Sequence, residues 1–444
     1  MGCSIGFADG DPLAPDNLAG LCPTGTAERL SLRVSSSLRF PEFPQNPRLL
    51  KPPAYAGAPR GDSMAPETIQ NDPPRRLLAI DGGGLLGLIP AEALILVEEQ
   101  LNQITGTNKP LCDRFDLIGG TSTGAILAAG LALGLSAKQL RDFYLQFGKE
   151  IFTKVWFGER FWHSYSDAPL AKHLKEVFED VTLGSDRLRT QILIVTKNAT
   201  LGNDWFFTNN PQNKFFKNNA GLPLWQIVRA SSAAPTYFPP QTIAVPDGTG
   251  KTQSYEFVDG GVSSYNNPAL QVFLEATIPE YGHGWPMGAD RLLLLSLGTG
   301  FNSLTIPSGK AARYNLIDWG KYVVKEMMNE ANLQQNILLH IIGQRPASAA
   351  SATRELTSSG ASKGVPDENA LSRVNIGMSA AKLVTYQRIT IGLTRKRLDD
   401  LGFQDIDPCK VRDMDAADQV PNMQRIGAAV AREQVRMEAL KAFF

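Results

Sequence analysis

The chain has 444 residues, enough for two or three domains or for one large α/β domain with attachments. Hydrophobic residues make up 43% of it, which supplies a core and excludes disorder along the whole length. Lysine and arginine total 44, as do aspartate and glutamate, so the formal net charge is zero and no nucleic acid polymer is expected as a partner.

Residues 1–74 are predicted to form a proline-rich N-terminal arm rather than a domain. They hold twelve of the 29 prolines and show little apolar periodicity. The start lacks the basic residues and the apolar stretch of a secretory signal, and no later apolar run is long enough to cross a bilayer. We therefore expect a soluble, cytoplasmic protein.

Residues 75–344 alternate short apolar runs with helical patterns, which predicts an α/β domain. The expected architecture is a mostly parallel central sheet flanked by helices on both faces. Predicted strands cover 75–80, 115–118, 191–197, 255–258 and 291–297. Predicted helices cover 85–102, 125–135, 136–144, 170–178, 224–231, 268–277 and 316–340.

The rest of the chain is predicted to be a loop followed by a small C-terminal region. Alanine, serine and glycine crowd residues 345–366, which predicts a flexible loop. Residues 367–444 are expected to add a strand at 386–393 and a helix at 424–444 that pack on the preceding domain.

A Gly-x-Ser-x-Gly sequence lies between a predicted strand and a predicted helix, the setting of a nucleophile elbow. Gly120 and Gly124 allow a tight turn that presents Ser122, and the amide of Thr123 at the helix N-terminus favours nearby negative charge. The alternative is a structural Gly-Ser turn at a strand end. The motif alone does not decide between them.

The glycine loop after the first strand has two interpretations. The amides of Gly82, Gly83 and Gly84 are predicted to form an oxyanion hole facing Ser122, because parallel strands end at one sheet edge. Alternatively, Gly82-x-Gly84-x-x-Gly87 matches a dinucleotide-binding fingerprint, although the acidic residue that should end the next strand is missing.

Asp259 is the predicted base for Ser122, since a serine hydroxyl needs one near neutral pH. It ends an apolar strand and precedes the turn glycines Gly260 and Gly261, so it is placed at the same sheet edge. The sequence has four histidines, and none follows a strand as a hydrolase base does; they are His163, His173, His283 and His340.

Taken together, four ordered blocks over about residues 75–300 resemble the patatin-like phospholipases. They are Asp-Gly-Gly-Gly (81–84), Gly-Thr-Ser-Thr-Gly (120–124), Ala-Ser-Ser-Ala-Ala-Pro-Thr-Tyr-Phe (230–238) and Asp-Gly-Gly (259–261), the last followed by Asn-Asn-Pro (266–268). The resemblance implies a three-layer α/β sandwich and a Ser122-Asp259 dyad that cleaves fatty acyl esters through an acyl-enzyme. Leu86 stands where family members commonly carry arginine or lysine, so no cation is expected in the loop.

The aromatic cluster Trp156, Phe157, Phe161 and Trp162 suits an acyl-binding surface or lid, although packing of a helix pair is an equal alternative. The expected substrate is membrane phospholipid or lysophospholipid, met by peripheral contact of a cytoplasmic enzyme with the membrane surface.

Neither a cofactor nor a metal is expected, because the four cysteines stand far apart and no acidic loop suits calcium. Two other functions remain open: a nucleotide-binding oxidoreductase built on the glycine loop, and a catalytically silent lipid-binding protein. A small-molecule or protein activator is a further hypothesis, motivated by the predicted loop at 345–366.

Overall fold

In the part of the chain that the structure describes, nine strands form one sheet. The computed structural model describes residues 72–152, 165–247, 249–301, 306, 308–346 and 381–444, which all fall within one unit, residues 66–444. The strands are β1 (Arg75–Ile80), β2 (Leu117–Thr121), β3 (Gln191–Asn198), β4 (Asn203–Thr208), β5 (Gln241–Pro246), β6 (Thr252–Asp259), β7 (Leu292–Leu297), β8 (Gly343–Gln344) and β9 (Val384–Ile389). The predicted arm at 1–74 and the predicted loop at 345–366 lie almost wholly outside the described residues.

The sheet is mixed, and most of its strand pairs are parallel. The order is β5-β6-β3-β2-β1-β7-β9-β8, with β4 paired to β3. The pairs β1–β2, β1–β7, β2–β3, β7–β9 and β8–β9 are parallel, whereas β3–β4, β3–β6 and β5–β6 are antiparallel. The prediction of a mostly parallel central sheet is confirmed, and β9, from the C-terminal region, is an interior strand.

Helices cover both faces of this sheet. They are α1 (Leu88–Thr105), α2 (Thr123–Ala132), α3 (Ala137–Ile151), α4 (Ala168–Phe178), α5 (Phe216–Asn219), α6 (Leu224–Ser231), α7 (Ala269–Thr277), α8 (Leu316–Ile342), α9 (Arg395–Asp400), α10 (Pro408–Val411) and α11 (Val420–Gln434). Along β1, Leu78 and Ile80 pack into the layer that contains α1 to α4, α6 and α11. Leu77 and Ala79 face the opposite layer, which contains α7 and part of α8. This alternation follows from the two-residue period of a strand and produces the predicted three layers.

Some elements differ from the sequence-based predictions. Strands β4, β5 and β8 were not predicted, and β5 is an edge strand that buries only alternate side chains such as Ile243 and Val245. The helix predicted at 424–444 is two elements, because Val435 is extended and separates α11 from a 3-10 helix at Met437–Phe443. A strand or helix that is stabilised mainly by contacts with other parts of the protein shows only a weak apolar pattern in its own sequence.

No helix among the described ranges is both long and apolar enough to cross a membrane.

Candidate active site

The turn between β2 and α2 presents Ser122 as a nucleophile elbow would. Ser122 has φ 53° and ψ −120°, a region that non-glycine residues rarely occupy. The turn is tight because a Cβ on Gly120 would lie 2.1 Å from the carbonyl oxygen of Gly124, and one on Gly124 would lie 2.1 Å from that of Ile80. Only glycine fits at these two positions. The tight packing of the backbone around them holds Ser122 in its strained conformation.

Two strands meet end to end at this turn. Val195 of β3 pairs with Thr121 of β2, and the next residue, Thr196, pairs with Asp259 of β6. Strand β4 occupies the other edge of β3, so β2 and β6 share one edge. Because β2 is parallel and β6 antiparallel to β3, their carboxyl ends face each other. This arrangement brings Ser122 and Asp259 together. It differs from the predicted one, in which the strands that carry the two residues run parallel and end on the same side of the sheet.

Ser122 and Asp259 are joined by a short hydrogen bond. The Ser122 hydroxyl donates to Oδ2 of Asp259 at 2.6 Å, and the amide of Gly261 donates to Oδ1 of the same carboxylate at 2.6 Å. Asp259 is 4% exposed, and burial raises its pKa from 3.8 to about 6, against the opposing effect of these hydrogen bonds and of the positive charge of Arg229. A carboxylate of this pKa is ionised at neutral pH and is a stronger base than an exposed one.

Two side chains of α6 support the pair, and the sequence-based reasoning did not identify either. Ser231 accepts a hydrogen bond from the amide of Ser122 at 2.8 Å and donates to the carbonyl oxygen of Val195 at 2.6 Å, so it ties the elbow to β3. Arg229 is fully buried, donates to the carbonyl oxygen of Pro239 at 2.9 Å and lies 3.4 Å from Asp167. Both lie in or next to the Ala-Ser-Ser block of the sequence, and that block was the feature that could have pointed to them.

The glycine loop lies against the elbow but offers fewer oxyanion donors than predicted. The amide of Gly82 donates to the carbonyl oxygen of Asn266 at 3.0 Å, so it is not available to an oxyanion. This corrects the prediction for Gly82. The amides of Gly83, Gly84 and Thr123 have no acceptor among the described residues, because they stand at or just before helix N-termini.

The C-terminal region holds the glycine loop from its other side. Arg388 of β9 donates to both carboxylate oxygens of Asp81, at 2.8 and 2.5 Å, and this ion pair is almost completely buried. The carbonyl oxygen of Met414 accepts from the amide of Leu85 at 2.8 Å, and it lies so close to Gly84 that a Cβ added there would clash with it. These contacts were not predicted, since they join residues more than 300 positions apart.

This packing argues against the dinucleotide interpretation of the loop. A Cβ on Gly82 would lie 2.5 Å from the side chain of Asn266 and 3.2 Å from the Cβ of Ser122. The loop glycines therefore allow close packing against Asn266, Ser122 and Met414, where the fingerprint would require space for a pyrophosphate. Leu86, at the position where the resemblance had suggested a cation, is buried in the core.

A narrow apolar cavity lies beside Ser122 and is partly open to solvent. The hydroxyls of Thr123 and Tyr144 bond to each other at 2.5 Å, so neither adds a free polar group to the wall. The lining includes Leu85, Ile126, Phe143, Ile151, Phe152, Leu170, Tyr237, Phe238 and Met414.

The predicted acyl-binding residues Trp156, Phe157, Phe161 and Trp162 lie outside the described residues. The described residues on either side of that segment belong to the site. Phe152 lines the cavity, and Tyr165 contacts Phe152 and Phe238 through its ring and donates to Asp415 at 2.6 Å.

The three histidines in the described ranges are engaged elsewhere. His173 lies between Glu150 and Glu176, His283 packs on Trp285, and His340 packs on Tyr386; His163 lies outside those ranges. In the same part of the chain, no group of three or more histidine, cysteine, aspartate or glutamate residues is arranged to hold a metal ion.

Comparisons with known proteins match the part of the chain that contains this site. A family profile described as patatin-like phospholipase matches residues 78–273, which include Ser122 and Asp259. Patatin-15, Patatin-04/09 and Patatin-06 of Solanum tuberosum are each 32% identical over 275 residues, covering 58% of this chain and 69% of the relative. A crystal structure of VipD from Legionella pneumophila aligns with 80% of this chain and 67% of that chain, at 13% identity and a TM-score of 0.35.

Proposed function

The chain belongs to the patatin-like phospholipase family of lipid acyl hydrolases, and on that premise we propose that it cleaves fatty acyl esters of glycerophospholipids through Ser122 and Asp259. The observation that carries the proposal is the 2.6 Å hydrogen bond from the Ser122 hydroxyl to the buried Asp259 carboxylate. It joins a strained, positioned nucleophile to a base of raised pKa beside an apolar cavity.

In the proposed first step, the Ser122 oxygen attacks the ester carbonyl while its proton passes to Oδ2 of Asp259. The amide of Gly261 keeps the carboxylate aligned by holding Oδ1. The negative charge that develops on the carbonyl oxygen would be met by the amides of Gly83, Gly84 and Thr123. Asp259 then returns the proton to the departing alcohol oxygen, leaving an acyl-Ser122 intermediate.

In the second step, a water molecule takes the place of the alcohol. Asp259 accepts a proton from this water as it attacks the acyl carbonyl, and the fatty acid leaves as the Ser122 oxygen regains a proton from Asp259. One carboxylate therefore acts as base and as acid in both halves of the reaction, which its pKa of about 6 favours.

The cavity supports a fatty acyl chain as the group that is transferred. Its walls are almost entirely aliphatic and aromatic, and burial of each methylene contributes about 0.8 kcal/mol of binding. The phospholipase A and lysophospholipase types share this requirement and differ in substrate, since the first removes one acyl chain from a diacyl phospholipid and the second removes the remaining chain from a monoacyl lipid.

The proposal is tested by product analysis on defined vesicles of phosphatidylcholine and phosphatidylglycerol. Wild type is expected to release fatty acid and to react covalently with a fluorophosphonate at Ser122. Ser122→Ala should lose both. Positional labelling of the acyl chains and parallel assays on lysophospholipid then identify the ester that is cut.

Matched controls are Ser254→Ala and Asp180→Asn, which change exposed residues far from the elbow. Both controls should retain wild-type turnover. Fatty acid release that persists in Ser122→Ala would overturn the proposal. An NAD-dependent change in fluorescence without fluorophosphonate labelling would instead favour the oxidoreductase.

Activation by a ligand or partner remains a separate hypothesis, motivated by sequence alone. Full phospholipid turnover by the purified protein without any additive would contradict it.

A further inference from the structure

The first half of helix α8 exposes an apolar face. Leu316 is 88% exposed, Trp319 39%, Val323 47% and Met327 68%. Their spacings of three, four and four residues place all of them on one side of the helix. We call these four residues the α8 apolar face; most large apolar side chains of the described chain are instead buried.

This helix adjoins the candidate active site on two sides. Cε of Met328 would lie 3.5 Å from a Cβ added to Gly261, whose amide donates to the Asp259 carboxylate. Lys325 forms an ion pair of 3.6 Å with Asp413, which precedes the cavity-lining residue Met414. The exposed face therefore belongs to a helix that contacts both the catalytic turn and the segment lining the cavity.

The region around this face is weakly basic and contains three neighbouring aromatic rings. Between residues 308 and 327, the last residue of the face, there are four lysines and arginines and two acidic residues, a net charge of 4 − 2 = +2, whereas the whole chain is neutral. Trp319 packs against Tyr314 and Tyr322 at ring distances of 5.4 and 5.6 Å. Amphipathic aromatic rings next to basic residues suit the boundary between lipid headgroups and acyl chains.

The start of the helix is fixed, so the face is presented on a defined element. The amide of Asn315 donates to the carboxylate of Asp318 at 3.2 Å, and the amide of Asp318 donates to the side chain of Asn315 at 3.0 Å. This reciprocal cap satisfies amides that a helix start leaves open.

We infer that the α8 apolar face docks on an anionic phospholipid bilayer and holds the entrance of the acyl cavity at the lipid surface. The inference rests on the proposed function, because it names the surface by which the enzyme meets its substrate. The bilayer is chosen as the occupant because its anionic headgroups complement the local positive charge and its acyl chains complement the apolar side chains.

The test measures binding to vesicles of equal parts phosphatidylglycerol and phosphatidylcholine by flotation, with Ser122→Ala as the parent so that binding does not depend on turnover. Substituting Leu316, Val323 and Met327 together by glutamine should weaken binding on the order of 100-fold, because three apolar side chains no longer enter the bilayer. Pure phosphatidylcholine vesicles should bind the parent about tenfold more weakly.

The matched control is Leu338→Gln, which changes a leucine of the same helix that is as exposed as Val323. Leu338 lies about 16 Å along the helix axis from Met327, near the end of α8 and just before β8, which pairs with β9. The control should bind like its parent. Unchanged binding of the triple variant, an equal loss in the control, or no binding of the parent would each overturn the inference.

Two further measurements separate this inference from its premise. In the active protein, the triple substitution should lower the ratio of vesicle to soluble-ester hydrolysis by the same factor as binding. If the parent binds through this face but wild type releases no fatty acid, docking stands and the proposed function fails. If light scattering shows that the substitutions change only the oligomeric state, the face joins copies of the chain and the docking inference is wrong.

Discussion

Residues 78–273 supply the side chains that the proposed chemistry uses, whereas residues 381–444 supply groups that hold the site in position. The first region, which the family profile matches, contains Ser122 and Asp259. The second contains Arg388, which pairs with Asp81, and Met414, which braces the glycine loop.

The groups proposed to react and the side chains that hold the neighbouring loop in place therefore come from distant parts of the chain. A short hydrogen bond sets the reactive pair, and one buried ion pair joins the loop beside it to an interior strand of the sheet. Substitutions in the first region should therefore act mainly on the chemical step, and those in the second mainly on stability and loop position. The four predictions below test this division.

Asp259→Asn is expected to have the largest effect. The amide retains the shape of the carboxylate and an acceptor for Gly261 but cannot take the serine proton, so kcat should fall about 10³-fold. Steady-state assays on a soluble ester measure this. Asp180→Asn serves as control, and a fall of less than tenfold in the Asp259 variant would show that another group is the base.

Arg388→Met is expected to lower the free energy of unfolding by about 3–5 kcal/mol. It leaves the Asp81 carboxylate, 2% exposed, without its cation in the core. Urea denaturation measures the change. Arg187→Met removes surface ion pairs and should cost less than about 1 kcal/mol. Equal effects of the two variants would contradict a supporting role for the C-terminal region.

The raised pKa of Asp259 predicts a pH-dependent stability difference between wild type and Asp259→Asn. The folded-state pKa of about 6 exceeds the ordinary 3.8, so the stability linked to the proton is fully present below pH 3.8 and is lost as pH rises through 6. From pH 4 to pH 8, Asp259→Asn should gain on wild type by on the order of 3 kcal/mol.

This difference is measured as the free energy of unfolding of both proteins at the two pH values, so that other titrating groups cancel. Asp180→Asn should show no such gain. The same pKa predicts that kcat/KM of wild type declines tenfold per pH unit below about pH 6, since protonated Asp259 is not a base. A stability difference that is constant with pH would contradict the assigned pKa.

Tyr165→Phe is expected to have the smallest effect. It removes the hydroxyl that bonds Asp415 across the two regions but leaves the buried ring, at a cost of about 1 kcal/mol in unfolding free energy. Tyr255→Phe, whose hydroxyl bonds the exposed Gln253, should change little. Thermal denaturation of the two variants compares them, and a larger loss in the control would reverse the interpretation.

Much of the fold could be predicted from the sequence because its interior strands are local apolar runs. Strand β1 at 75–80 and helix α6 at 224–231 have the predicted bounds, and β7 begins one residue later than predicted. The edge strand β5 was missed although it pairs with the next strand, β6, because it buries only alternate side chains and leaves a weak apolar pattern. The two-residue strand β8 was missed because its partner, β9, lies about 40 positions later in the chain.

Ser122 and Asp259 could be identified because a tight turn requires small residues. In both places, glycines stand within two residues of the candidate, at the end of an apolar run. The occupied amide of Gly82 could not be foreseen, because its acceptor, Asn266, follows 184 positions later. Arg229 and Arg388 were missed for a similar reason, since burial of a charged side chain is decided by what packs around it.

The sequence by itself therefore determined the chemical groups, the parallel core and the tight turns, all of which follow from the residue types in short segments. The tertiary structure alone decided that β6 runs against β3 and meets β2 head to head, that a C-terminal arginine secures the glycine loop, and that one face of α8 stays exposed. The physical reason is that these features depend on pairing and burial between segments far apart in the chain, where local propensity carries no information.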